Sequence, residues 1–108
     1  MDARYAGTAD STGALTITVQ PRSSAVWTVY QVSLELIQIP GGAAVPGAAL
    51  CNVRKNGFLV SPAVAQGDAV GGQPPIDLQP TDVLTVEWTN AAAGNVGHVL
   101  VIFDQKAA

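Results

Sequence analysis

The sequence predicts an all-β protein: an antiparallel β-sandwich or jelly-roll-like barrel with an Asn-Gly hairpin. Three observations predict it. Apolar residues recur with period two in several short runs, the pattern of strands with one face buried. The 11 glycines and 7 prolines cluster between those runs, where turns belong. No run carries a 3.6-residue apolar stripe. A length of 108 residues suits one domain, read as an N-terminal arm over residues 1–12 and a single sandwich over 13–105.

The elements follow in chain order. Residues 2–12 have little hydrophobic pattern and are expected to form an arm reaching a neighbour. Leu15, Ile17 and Val19 alternate with Thr16 and Thr18, a half-buried strand preceded by Gly13 and closed by Pro21. A longer strand is expected from Val26 to Ile39. Trp27 and Val29 share one phase, Tyr30, Val32, Leu34 and Leu36 take the other, and Ile37 and Ile39 switch back. Phase switches within one extended run point to a bulge or to a bend between two sheets. A helix here is opposed by the β-branched and aromatic content.

The clearest local signal is Cys51 to Val60. Asn56-Gly57 suits a type I′ turn, whose two central residues both need positive φ. That turn would pair Lys55 with Phe58, Arg54 with Leu59 and Val53 with Val60, placing Cys51, Val53, Phe58 and Val60 on the core face. Ile76 to Leu78 reads as a short strand leading into the Gln79-Pro80-Thr81-Asp82 turn, in which Asp82 is a turn residue. In Val83 to Thr89, Leu84, Val86 and Trp88 point inward while Thr85 and Glu87 point outward. His98 to Phe103 is apolar on both faces, so that strand is central or covered by a partner. The connections Gly41–Ala49 and Ala63–Pro75 are nearly uncharged, with Asp68 the one charge, so they are expected to be either mobile or covered, in the second case with a partner chain over at least one of them.

Composition excludes several functions. Hydrophobic residues make up 48% and charged residues 12%, about half the usual charged fraction of ~25%. Five basic residues against eight acidic ones oppose nucleic-acid binding through phosphate contacts. A single cysteine excludes an intramolecular disulfide framework and a multi-cysteine zinc site, and a single histidine excludes the common multi-histidine metal sites. Met1 to Thr8 has no basic segment followed by an apolar one, and the glycines and prolines of Leu36 to Val53 oppose a membrane helix. The expectation is a chain without export signal or membrane span.

Each chemically suggestive residue has a plainer role. His98 has no recognisable nucleophile or orienting carboxylate in the sequence and reads as a strand-end histidine. Cys51 falls on the core face and reads as an inert buried thiol. No two carboxylates show glycosidase spacing. Asp68, Asp77 and Asp82 could in principle serve calcium, without the D-x-D-x-D loop that would support it. Gly41-Gly42 and Gly71-Gly72 are lone doublets rather than phosphate loops. Trp27 and Trp88 could form a sugar-stacking platform, but both are in phase with inward aliphatic neighbours and read as core. No catalytic, cofactor-binding or metal residue is assigned, and no cofactor is expected.

Two stretches carry a resemblance: Val53-Arg54-Lys55-Asn56-Gly57-Phe58-Leu59-Val60, and Ile76-Asp77-Leu78-Gln79-Pro80-Thr81-Asp82-Val83-Leu84-Thr85-Val86-Glu87-Trp88-Thr89. A strand ending in Asn-Gly, followed by an L-x-P-G-D-x-L-x-V-x-W type strand, is similar to small β-sandwich head and tail proteins of actinobacterial bacteriophages. Thr81 stands where glycine is usual. The resemblance spans roughly residues 13 to 104, and the Ala/Gly/Val/Pro bias with two lysines also resembles a GC-rich genome. It implies a non-enzymatic virion structural protein made in the host cytoplasm, most simply a head decoration protein. The low charged fraction, the two neutral connections and the final strand apolar on both faces add the expectation of a symmetric homo-oligomer, with a trimer favoured, bound to the major capsid protein or another virion protein; a monomeric Ala- and Gly-rich sandwich is the plainer reading. A tail or fibre receptor- or carbohydrate-binding module is the alternative.

Overall fold

A computed structural model describes residues 1–37, 50–61, 67–68 and 75–107. Both neutral connections fall outside these residues, except for 67–68 and Pro75. The described chain is all-β, and every strand pairing is antiparallel. In order the strands are β1 (Asp2–Thr8), β2 (Leu15–Val19), β3 (Ala25–Ile37), β4 (Leu50–Lys55), β5 (Phe58–Ser61), β6 (Gly67–Asp68), β7 (Ile76–Leu78), β8 (Leu84–Thr89) and β9 (Val96–Ala107). One sheet runs β1-β9-β3-β6, with β7 also on β3. The other runs β2-β8-β4-β5.

These pairings nest. β1 pairs β9, β2 pairs β8, β3 pairs β7 and β6 at successive positions, and β4 pairs β5. The chain is therefore one long hairpin rolled into two sheets, with Asn56-Gly57 at its tip. This is the jelly-roll winding of a β-sandwich. The inward side chains of both sheets form one core, with Val19, Val29, Val32, Cys51, Val53, Leu78, Leu84, Val86 and Val101 wholly buried.

β3 shows why the sequence phase switches. Its register against β9 slips between Val29 and Gln31, leaving Tyr30 as the extra residue. Trp27 and Val29 point inward before the bulge, and Val32, Leu34 and Leu36 after it. Tyr30 itself is solvent-exposed, not in phase with Val32. Ile39 lies outside the described residues. β9 is central, between β1 and β3. It buries Val99, Val101 and Phe103 and turns Leu100 and Ile102 to the outer face.

Three further expectations need correction. Residues 2–8 are strand β1, paired with β9 along their whole length, not an arm. The Met1 ammonium donates to the Phe103 carbonyl at 2.9 Å, and the Phe103 N–H donates back to Met1 at 3.0 Å. The weak pattern arises because β1 is an edge strand whose inward positions, Ala3, Tyr5 and Gly7, are only half-buried. In the hairpin, Lys55 pairs Phe58 and Arg54 pairs Leu59 as expected, but Val53 pairs Ser61 rather than Val60. A bulge at Val60 absorbs the difference. Phe58, placed on the core face by alternation, is 79% exposed, because it overhangs the end of an edge strand.

Asn56 and Gly57 have φ of 49° and 86°, the positive values a type I′ turn demands. Nothing lies within 4 Å of the point where a Cβ on Gly57 would sit, so strain there is conformational only. Gly57→Val is expected to cost about 1–2 kcal/mol, because a β-branched residue resists the left-handed region. An unchanged denaturant midpoint would refute this.

Candidate functional site

The tip of the rolled hairpin is the most specifically built surface. Asn56 is clamped to the β7–β8 turn from three directions. Its N–H donates to the Val83 carbonyl, its Oδ1 accepts from the Val83 N–H, and its Nδ2 donates to Asp82 Oδ1, each at 2.9 Å. Asp82 also accepts from the Gln79 N–H at 2.9 Å and faces Lys55 Nζ at 3.7 Å. Lys55 Nζ donates onward to the Asp77 carbonyl at 2.7 Å. The turn chemistry of Asn56 and that of Asp82 thus lock one another.

These contacts hold the Asp82 carboxyl below its usual range, first through the Gln79 N–H, then through Asn56 and Lys55. A depressed folded-state value means that the lock stabilises the fold above the unfolded value of ~3.9 and is lost as pH falls through the folded one. Wild type is expected to lose unfolding temperature on acidification below about pH 4. Asp82→Asn should start lower and lose less; parallel curves would refute the role of Asp82.

On this locked frame stand Phe58 and Leu59, 79% and 50% exposed. Successive strand residues point to opposite sides, so the two present apolar surface on both sides of the tip. The two outer sheet faces differ. On the β2-β8-β4-β5 sheet, Thr16, Thr18 and Thr85 surround the Arg54–Glu87 ion pair, at 3.3 Å. On the other sheet, Leu100 and Ile102 run down the central strand between Arg4 and Ser33 on one row and Asp2 and Gln31 on the next. Tyr30, at the bulge, donates its hydroxyl to Asp104 Oδ2 at 2.9 Å, and Thr28 donates to Asp77 Oδ1 at 3.1 Å.

At the opposite end of the roll, the β1–β2 and β8–β9 connections bind each other. Asp10 Oδ1 accepts from Thr12 N–H, Thr12 Oγ1 and Ala14 N–H, which pushes its carboxyl down. The Ala91 N–H donates to the Gly13 carbonyl and the Ala9 N–H to the Asn95 carbonyl. Asn95 is 5% exposed, and its Nδ2 has no partner among the described residues.

The residues singled out in the sequence are not gathered into one place. His98 is exposed on β9, between Ala6 and Glu35. Cys51 is fully buried against the β8 register position of Trp88, and burial pushes its thiol up to about 12. Thiol reagents are expected to label Cys51 only as fast as the protein opens. Labelling in native buffer at the unfolded-chain rate would refute that. Trp27 and Trp88 are core residues. Trp27 stacks on Phe103 at 3.8 Å between centroids and donates Nε1–H to Gln105 Oε1 at 3.0 Å. Neither indole face is available as a sugar platform. Asp77 and Asp82 serve Thr28 and the tip lock; the side chain of Asp68 lies outside the described set. No group of three metal-ligating side chains occurs among the described residues.

Alternation turns Leu59 outward but could not reveal the exposed Phe58, because its exposure depends on where the sheet ends. The signal for the lock was present as two separate turn motifs, Asn56-Gly57 and Pro80-Thr81-Asp82. Their meeting requires the roll. No family model, curated protein or solved structure matches this chain.

Proposed function

We propose that this protein is a non-enzymatic bacteriophage virion structural protein, a head decoration protein that stabilises the shell as a symmetric oligomer. The observation that carries the reading is the locked tip with its exposed Phe58 and Leu59. Aromatic anchors dominate protein–protein contacts when they enter a partner pocket. A frame already ordered before binding loses less entropy on docking. The sequence is charge-poor, at 12% charged residues, and the apolar Leu100–Ile102 column offers a second contact for a neighbouring copy. Jelly-roll domains are used in viral capsids, though also in lectins and cupins, so the fold contributes analogy and the surface contributes the argument. Closed symmetry buries such patches without open-ended growth, and a trimer suits the local threefold positions of an icosahedral shell.

The test is co-sedimentation of the purified protein with empty heads, together with light scattering. The expected results are binding to heads and a scattering mass that is a multiple of 11.0 kDa. Phe58→Ala should weaken head binding on the order of tenfold or more, as loss of an anchor does. Failure to bind heads, with binding to tails or glycans, would move the assignment to a tail or fibre receptor-binding module. With both tryptophans in the core, such a module would have to use other residues.

A further inference from the structure

Asn-Gly is the dipeptide in which the asparagine carboxamide cyclises most easily, because glycine leaves the attacking backbone nitrogen unobstructed. We propose that Asn56-Gly57 is a deamidation site gated by the tip lock: the bonds from Asn56 to Asp82 and Val83 hold the carboxamide away from its own chain, and local opening of the tip releases it. The proposal does not depend on the virion reading.

The chemistry needs only water. The Gly57 backbone nitrogen gives up its proton and attacks Asn56 Cγ. The new C–N bond closes a five-membered imide, the Cγ–Nδ2 bond breaks, and Nδ2 takes up a proton and leaves as ammonia. Water then opens the imide at either carbonyl, giving aspartate or isoaspartate. In the folded protein both ends of the carboxamide are held by partners across the chain. Oδ1 accepts from Val83 and Nδ2 donates to Asp82, both at 2.9 Å, so cyclisation must break both bonds. The turn itself is exposed, and no neighbour crowds the Cβ position of Gly57, so sterics alone do not shield the site.

The product cannot restore the lock. Aspartate at position 56 still accepts from Val83 but has no N–H for Asp82, and it sets a second carboxylate against the first. Isoaspartate adds a backbone atom to a turn that admits two residues. Deamidation therefore leaves the segment that presents Phe58 and Leu59 unlatched, and the change is one-way.

Peptide mapping of the full chain, incubated in mildly alkaline buffer, measures aspartate and isoaspartate at position 56. The native protein is expected to deamidate at least about tenfold more slowly than the same chain unfolded in urea, the factor that about 1.4 kcal/mol of local opening would supply. Asp82→Ala, which leaves the Val83 bonds in place, should deamidate several-fold faster than wild type and more slowly than the unfolded chain, while near-ultraviolet circular dichroism shows the fold intact. Ile17→Val, which loosens the distant core, should leave the rate unchanged. Equal native and unfolded rates would overturn the proposal, as would a folded Asp82→Ala no faster than wild type. If Asp82→Ala does not fold, wild type alone decides. Low urea should then raise its rate with a slope well below that of global unfolding, and a slope equal to the global one would overturn local gating.

Discussion

Trp88→Ala is expected to cost about 3–5 kcal/mol, the range for removing a buried aromatic side chain. Total stability for a domain of this size is about 5–15 kcal/mol. A substantial share of the chains should therefore lose the native state under mild heating. Trp88 is the largest fully buried side chain. Its ring lies under β9, where a Cβ on Gly97 would come within 2.8 Å of its Cζ3 and within 2.5 Å of a Leu15 methyl. The indole therefore fills the space between the two sheets, and the backbone opposite it carries no side chain that could follow a smaller residue inward. Denaturant unfolding checks the value, and a loss below about 1 kcal/mol would show that the two sheets collapse over the cavity. Trp88→Phe, which keeps most of the ring, should lose markedly less.

Gly13→Ala should be comparably damaging, for a different reason. Gly13 has φ of +78°, and a Cβ there would lie 1.9 Å from the Ala91 carbonyl oxygen. That atom is backbone, tied to its surroundings by the Ala91 N–H bond back to the Gly13 carbonyl at 3.1 Å. The clash cannot be relieved by rotating a side chain. It forces the β1–β2 and β8–β9 connections apart, and the paired loops that close this end of the roll separate. We expect a loss of about 3 kcal/mol or more, of which the positive φ alone accounts for about 1–2. Gly94→Ala is the control, since Gly94 has φ of +86° with nothing within 4 Å of its Cβ position. It should show the conformational part alone. Equal losses in the two variants would show that the Gly13–Ala91 contact is slack.

Local rules were sufficient wherever one face of a strand meets the core. Leu15, Ile17 and Val19, and later Leu84, Val86 and Trp88, are buried as their alternation requires, because a period-two strand lying on one core has one way to hide its apolar side. The Asn56-Gly57 turn was equally determined, since few dipeptides accept two successive positive φ values. The phase switch in β3 marked its bulge for the same reason: an extra residue is the only way to keep Val29 and Val32 on one side.

What the sequence could not decide concerns edges and meetings. Whether residues 2–8 lie in a sheet depends on β9, about a hundred residues away, offering its backbone, and a weakly patterned edge strand does not announce that. Phe58 obeys alternation and is exposed all the same, because the sheet ends beneath it. Val60 shifts the far end of the hairpin register through a bulge that strand spacing does not encode. Asn56 and Asp82 are separated by 26 residues and become partners only when the rolled hairpin brings its tip to the β7–β8 turn. Alternation is a property of neighbouring residues and is read from them directly. Edges, overhangs and cross-chain locks are set by the order in which strands lie side by side, and that order follows from the winding of the whole chain.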